Sequence, residues 1–203
     1  MIVNQQDMKK VILVAGVPRS GSTWLFNATR LIIERSNTPL HAAWCADYQA
    51  DHPASVHLVK VHRDEQAKAF SPTIILTTKR PTEDCIASLI RMGWVSGNDQ
   101  AIRKAWAGHN KLYLYWKQRS DLEVDYDQIV NAPEAAIATI AKALEVPLDD
   151  MTIADIAREL RDLQAPSGST YDPKTLLHPN HRDQHGDSGQ VVDPGHILDV
   201  VKV

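Results

Sequence analysis

The stretch Gly16-Val17-Pro18-Arg19-Ser20-Gly21-Ser22-Thr23 decides the fold, because it joins an apolar run to an amphipathic segment. The run over 10–15 is continuous and too short for a helix, which predicts a strand that is covered on both faces. Apolar residues recur at helical spacing over 22–35, next to hydroxyl residues that favour a helix start. A glycine-rich loop between a strand and a helix is a setting in which backbone amides converge on a phosphate group.

The rest of the chain alternates between predicted strands and predicted helices. Further strands are predicted over 56–62, 73–78 and 122–126, and helices over 82–92, 99–119, 133–144 and 152–163. This alternation predicts an α/β protein, a three-layer sandwich with a mainly parallel central sheet that binds ligands at the carboxyl ends of its strands. The glycine-rich loop after its first strand resembles a P-loop, which implies a fold similar to that of the P-loop NTPases. We expect 1–203 to form a single domain in which 165–194, rich in proline, glycine, serine, histidine and aspartate, is an irregular loop that covers the cofactor or the substrate.

Composition disfavours several classes of protein. The formal charge of -3 on 203 residues argues against a general nucleic-acid binder, which would carry a basic surplus. No window reaches the roughly 20 apolar residues that a membrane-spanning helix needs, and the N-terminal segment lacks a small-residue cleavage site. Cys45 and Cys85 lie without metal-ligand spacing. We therefore expect an unexported, cytoplasmic protein with free thiols and no membrane span.

The glycine-rich loop departs from the P-loop of nucleotide triphosphatases in its charged residue. The lysine that precedes the last hydroxyl residue of that motif is replaced by Ser22, and the loop carries its cation at Arg19. The strand over 73–78 continues into Lys79 and Arg80, and not into a carboxylate that would hold magnesium. Magnesium-assisted phosphoryl transfer is therefore disfavoured. No metal site is predicted, because the histidines of the 165–194 loop lack a matching thiolate pattern.

The loop and the residue after it resemble the first signature of the sulfotransferases that use 3′-phosphoadenosine 5′-phosphosulfate (PAPS) and release adenosine 3′,5′-bisphosphate (PAP). That signature is basic-Ser-Gly-Ser/Thr-Thr-Trp, and it stands here as Arg19-Ser20-Gly21-Ser22-Thr23-Trp24. The resemblance implies that Arg19 and the loop amides hold the 5′-phosphosulfate and that Ser22 and Thr23 add hydroxyl donors. It also implies that Trp24 stacks on the adenine, which offers a π-face to an aromatic ring.

Arg80 and Ser88 resemble the second signature of the family, an arginine at the end of a strand and a serine eight residues later. The resemblance implies that this pair binds the 3′-phosphate. A guanidinium group suits that role because its planar fork of donors matches a phosphate and keeps its charge. A 3′-phosphate site would also distinguish PAPS from ATP.

Lys60-Val61-His62 resembles the Lys-x-His segment of the cytosolic branch of the family. Both outer side chains would leave one face of the strand, because side chains alternate with a period of two. The resemblance implies that Lys60 neutralises charge on the bridging oxygen and that His62 accepts the proton of the acceptor. Histidine suits this role because its ordinary pKa of about 6.5 leaves it largely neutral near pH 7. Asp64 and Glu65 are the alternative bases, since some relatives use a carboxylate.

The last signature of the family, Arg-Lys-Gly-x-x-Gly-Asp-Trp, is only partly present. The segment His185-Gly186-Asp187-Ser188-Gly189-Gln190 keeps the glycine spacing and lacks the basic pair. By resemblance, Arg182 or His185 is expected to complete the 3′-phosphate site, Gly186 to bind the cofactor and Tyr126 to pack around the cofactor site.

These observations predict a PAPS-dependent sulfotransferase that transfers a sulfuryl group by in-line displacement, without a metal. The predicted acceptor group is a hydroxyl or an amine of a small molecule, a glycan or a lipid, and 38–55 is expected to contribute to its pocket. The sequence predicts neither the acceptor nor the oligomeric state. Two alternatives stay open, namely a P-loop kinase of a small metabolite and a catalytically inactive nucleotide-binding module of the same fold.

Overall fold

The chain is built around one five-stranded sheet. The structure, a computed structural model, describes residues 9–167, 170–179 and 192–202. The strands are β1 (Lys10–Ala15), β2 (Leu40–Trp44), β3 (Val56–Val61), β4 (Ile74–Lys79) and β5 (Leu122–Asp125). They pair in the order β2-β3-β1-β4-β5, and every pairing is parallel. The predicted α/β class with a mainly parallel sheet is therefore confirmed.

Helices cover both faces of this sheet. They are α1 (Ser22–Arg35), α2 (Asp64–Ala67), α3 (Thr82–Arg91), α4 (Asp99–Lys117), α5 (Tyr126–Asn131), α6 (Pro133–Leu144), α7 (Asp150–Asp162) and α8 (Pro194–Lys202), with a 3₁₀ helix at Cys45–Asp47. The predicted helices over 22–35 and 133–144 have the observed bounds, whereas β2, α2, α5 and α8 are not predicted by the sequence. The predicted strand over 122–126 ends one residue early, because the Asp125 side chain caps α5 by accepting the Asp127 amide at 2.9 Å.

The two faces of the sheet bury separate apolar clusters, as the alternation of strand side chains requires. On one face Ile12, Leu58 and Leu76 pack with α1, α6 and α7. On the other face Leu13 packs with Trp116 of α4. A third cluster joins α3, α4 and α8. Burial on both faces explains why the central strands are continuously apolar in sequence.

The position of β1 between β3 and β4 sets the place of the functional site. Ala15, the last residue of β1, pairs with Val61 of β3 and with Thr77 of β4. The segments that follow these three strands therefore leave the same edge of the sheet, about 5 Å apart from strand to strand. At this edge the glycine-rich loop follows β1, His62 follows β3 and Arg80 follows β4.

Among the described residues, no helix has both the length and the apolar character that crossing a membrane requires.

His109 on α4 makes the stability of the fold depend on pH. It is buried, and neither ring nitrogen has a hydrogen-bond partner among the described residues. Burial lowers the pKa of His109 to about 4 from the ordinary 6.5. Between these two values the unfolded chain binds a proton that the folded chain does not, so the free energy of unfolding falls as the pH is lowered through this window.

We expect His109→Leu to remove about 2 kcal/mol of this acid destabilisation between pH 7 and pH 4.5. Urea unfolding at several pH values measures the effect. His196→Leu is the matched control, because His196 is exposed on α8 and its replacement should leave the pH dependence of the wild type intact. An unchanged pH dependence in His109→Leu would contradict the prediction.

Candidate functional site

A cavity of about 500 Å³ opens at the carboxyl edge of the sheet. Among the described lining residues its cations are Arg19 from the loop after β1, Lys60 from the end of β3 and Arg80 from the residue after β4. His62 and His178 also line it. The rest of the wall is largely aromatic or aliphatic: Trp24, Trp44, Trp94, Tyr126, Leu160, Tyr171, Leu176 and Leu177. The cavity therefore combines a cationic floor with an apolar wall.

The loop after β1 is tied down from within. Ser20 is fully buried, and its hydroxyl donates to the Val17 carbonyl at 2.7 Å and lies 2.6 Å from Thr78 Oγ1 of β4. Arg19 has a left-handed backbone with φ 70°, a conformation that costs a non-glycine residue roughly 1–2 kcal/mol. Such strain persists where the surrounding structure imposes it, which is common at functional sites.

Glycine is required at the start of α1. Gly21 has φ 99°, and a Cβ there would lie 3.0 Å from the Tyr126 ring. No side chain caps this helix, and its first turn holds no acidic residue. Its first amides and the hydroxyls of Ser22 and Thr23 thus surround a positive helix end, which favours an anion.

Lys60 is a buried cation at the end of β3. It is 4% exposed, and its Nζ donates to Thr23 Oγ1 at 2.5 Å. Burial, with a smaller effect from nearby Arg19, lowers the pKa of Lys60 to about 7. The protein without a ligand therefore holds this ammonium group close to its titration point, and an anion in the cavity would stabilise the charged form.

His62 is held in one orientation by its backbone and its ring. Its amide donates to Gln66 Oε1 at 2.8 Å and its carbonyl accepts Trp116 Nε1 at 2.9 Å. Its Nδ1 lies 2.7 Å from the Gly16 carbonyl oxygen. Because a carbonyl only accepts, Nδ1 carries the hydrogen, and the neutral ring has its lone pair on Nε2. The Trp44 ring lies 5.3 Å away.

Arg80 connects the two sides of the site. Its Nη1 donates to the Arg19 carbonyl at 3.1 Å, and its Cζ lies 4.1 Å from the centre of the Tyr126 ring. Its Nε is buried without a hydrogen-bond partner in the described part of the chain, with Asp84 Oδ2 at 4.0 Å. A buried guanidinium N–H of this kind suits a ligand acceptor.

Ser88 of α3 is brought next to the loop although it lies far along the chain. Arg19 Nε donates to its hydroxyl at 2.9 Å, and the serine is 2% exposed. Ser88 lines a neighbouring cavity of about 420 Å³, which we call the α3 cavity, and Arg80 lines both cavities. Arg19, Arg80 and Ser88 thus form one cluster.

Most of the residues predicted from the sequence line the main cavity: Arg19, Gly21, Ser22, Thr23, Trp24, Lys60, His62 and Arg80. Ser20 does not line it, because its side chain is buried and bonded to Val17 and Thr78. Arg182 and Gly186 lie outside the described residues. No group of three His, Cys, Asp or Glu side chains suited to a metal ion occurs in the ranges that the structure describes.

Residues 170–178 form a wall that the sequence does not predict in detail. The Tyr171 hydroxyl donates to the Asp47 carboxylate, and this bond, with burial, raises the pKa of Tyr171 to about 12. Asn27 of α1 donates to the Thr175 carbonyl at 2.7 Å and holds the segment against the helix. Loop residues of this kind show no periodicity by which a sequence could reveal them.

Comparison with known proteins gives matches at the level of structure. No protein-family model and no curated protein sequence matches the chain. The crystal structure of the mouse sulfotransferase SULT7A1 complexed with PAP matches with a TM-score of 0.58 and 15% identity, over 94% of this chain and 79% of that one. The chain has the sulfotransferase fold.

Two structures of retinol dehydratase share this fold as well. The complex with androsterone and the inactive cofactor PAP has a TM-score of 0.52 and 15% identity, over 74% of this chain and 64% of that one. The complex with retinol and PAP has a TM-score of 0.52 and 16% identity, over 77% of this chain and 66% of that one. The chain thus spans slightly less than two thirds of either retinol dehydratase chain.

Lys60 makes the affinity of this sulfotransferase-fold site for an anion depend on pH. With a pKa of about 7 in the protein alone, Lys60 loses its proton as the pH rises, whereas an anion favours the protonated form. With PAP, the nucleotide of the matched structures, as the probe anion, we expect the Kd to rise by up to about tenfold per pH unit between pH 7 and pH 8.5. Titration calorimetry over that range measures it.

Lys60→Met should bind PAP more weakly and with little pH dependence over the same range. Lys79→Met is the matched control, since Lys79 is an exposed lysine at the end of β4 and should keep the wild-type dependence. A pH profile that Lys60→Met leaves unchanged would assign the titration to another group.

Proposed function

We propose that the chain is a PAPS-dependent sulfotransferase that transfers a sulfuryl group to an acceptor by in-line displacement. The observation that carries the proposal is the arrangement of Lys60 and His62 at the end of β3. The ammonium group lies against the anion-binding helix start, and the ring presents a lone pair at Nε2. A cation for the leaving oxygen and a base for the attacking group are what such a transfer needs.

The side chains around the cavity fit the donor PAPS. The 5′ end would be held by Arg19, Thr23 and the first amides of α1, and the 3′-phosphate by Arg80 and Ser88. The buried Nε of Arg80, without a described partner, supports a further acceptor at that position. Trp24 lines the cavity and would stack on the adenine.

The residues of the chain would act mainly by position and charge. When bound, PAPS supplies an activated sulfuryl group. Lys60 would place its ammonium group near the oxygen that gains charge, and Arg19 would add a second cation. His62 Nε2 would accept the proton of the attacking hydroxyl, while the bond from Nδ1 to Gly16 keeps the ring in that tautomer.

The acceptor that this site favours is a small molecule with an apolar body and one nucleophilic group. Its wall would be formed by Trp44, Trp94, Tyr171 and Leu176. The retinol dehydratase structures hold androsterone in one case and retinol in the other, which supports a small-molecule acceptor here. A kinase is less well supported, because the described residues around the cavity include no carboxylate to share a magnesium ion with a phosphate.

Ligand binding followed by sulfuryl transfer tests the proposal. We expect PAP at a hundredfold excess over its Kd to stabilise the protein by about 3 kcal/mol, and AMP or magnesium-ATP to stabilise it less at equal concentration, because only PAP reaches both anion sites. Thermal shift measures this. Transfer of ³⁵S from labelled PAPS to a panel of phenols, alcohols, sugars and amines then measures activity.

A preference for magnesium-ATP would favour the kinase, and tight PAP binding with no transfer across the panel would favour an inactive module. Stabilisation by none of the three nucleotides would overturn nucleotide binding itself.

Replacing His62 tests the assignment of the base. We expect His62→Ala to lower kcat at least a hundredfold with any acceptor found in that panel, since general base catalysis contributes about 10²–10⁴. The Kd for PAP should change less than threefold, because the proposed nucleotide contacts do not include this ring. His196→Ala, an exposed histidine on α8, should leave both values unchanged. Near-normal turnover in His62→Ala would move the role to Asp64 or Glu65.

A further inference from the structure

The Ser88 hydroxyl accepts hydrogen bonds from two guanidinium groups. Arg19 Nε donates to it at 2.9 Å and Arg91 Nη2 donates to it at 3.4 Å. A serine hydroxyl has two acceptor lone pairs and one proton, so both acceptor positions are in use. The proton must then point to an acceptor, and none of the described residues accepts it. This buried serine is therefore set up as a donor to a group that carries lone pairs.

The α3 cavity has room for an acceptor group next to Ser88. It is lined by Arg80, which precedes α3, by Ser88 and Arg91 on the helix, and by 192–194 ahead of α8. Ser88 and Arg91 are three residues apart and so share one face of α3. The cavity adjoins the main cavity through Arg80, and its volume of about 420 Å³ leaves ample room for a phosphate.

The hydrogen-bond donors at Ser88 also suit an anion. Arg19 and Arg91 both donate to Ser88, and Arg80 lines the same cavity with a buried Nε that has no hydrogen-bond partner in the described part of the chain. Asp84 and Asp193 line the cavity too. Asp84 Oδ2 lies 4.0 Å from Arg80 Nε, and Asp193 Oδ1 accepts the Gly195 amide at 2.7 Å, so both carboxylates face partners at the wall.

We infer that Arg91 is a specificity-determining residue that binds the 3′-phosphate of the nucleotide together with Arg80 and Ser88. The inference rests on the proposed function. Arginine presents a fork of donors that a phosphate can accept on two oxygens. Arg91 supplies such a fork from α3, on the same wall as Ser88.

The test compares PAP with AMP, which lacks the 3′-phosphate. We expect Arg91→Gln to raise the Kd for PAP at least tenfold and the Kd for AMP less than twofold, measured by titration calorimetry. Arg91→Lys should lie between the wild type and Arg91→Gln, because it keeps the charge and loses the fork. Arg103→Gln on α4, an exposed arginine with an ion pair to Asp99 at 3.9 Å, should change neither Kd.

Arg80→Gln separates this inference from the function on which it rests. If Arg80→Gln lowers the preference for PAP over AMP and Arg91→Gln does not, the role of Arg91 is overturned and the proposed function stands. If the wild type binds PAP no more tightly than AMP, the proposed function fails first. Equal losses for both nucleotides in Arg91→Gln, with circular dichroism unchanged, would also overturn the role of Arg91.

Discussion

The parallel pairing of β1 with β3 on one side and β4 on the other is the constraint on which the site depends. A parallel sheet sends all its strands out at one edge, so residues distant in sequence meet there without any long-range design of loops. For this reason the Arg19 loop lies one strand spacing from Lys60 on one side and one strand spacing from Arg80 on the other. Burial of both faces of the sheet keeps the three strand ends fixed, and the burial rests on apolar side chains that take no part in the chemistry.

Cations placed together at one edge of the sheet repel one another, which costs free energy. Lys60 is buried beside Arg19, and its pKa falls to about 7, so part of its charge is lost when no anion is near. Arg19 keeps its charge and has a left-handed backbone, which Ser20 holds through Val17 and Thr78. A site of this kind is preorganised for an anion, because the reorganisation is already done before the ligand arrives.

The sequence predicts the features that local pattern determines and misses those that tertiary contacts determine. The apolar run of β1, the glycine loop and the helix over 22–35 are local, and all appear as predicted. The edge strand β2, Leu-His-Ala-Ala-Trp, is missed because it lacks the β-branched residues that mark a strand. The sequence does not indicate that the Ser20 side chain points inward, because Thr78, which it contacts, comes from another strand. It predicts an irregular loop over 165–194 but not which of its residues line the cavity, because loop contacts have no period.

Hydrogen bonds connect the glycine-rich loop with Arg80 and with Ser88 of α3. Arg19, from the 5′ side of the proposed site, donates to Ser88 on the 3′ side, while Arg80, from the 3′ side, donates to the Arg19 carbonyl. Neither of the two proposed anion sites can shift without moving groups of the other, so the two ends of a bound nucleotide would be recognised together. Coupled sites favour a ligand that fills both, because a ligand that fills one leaves charged groups of the other without their acceptor. A mononucleotide would then be disfavoured by more than the loss of one phosphate contact.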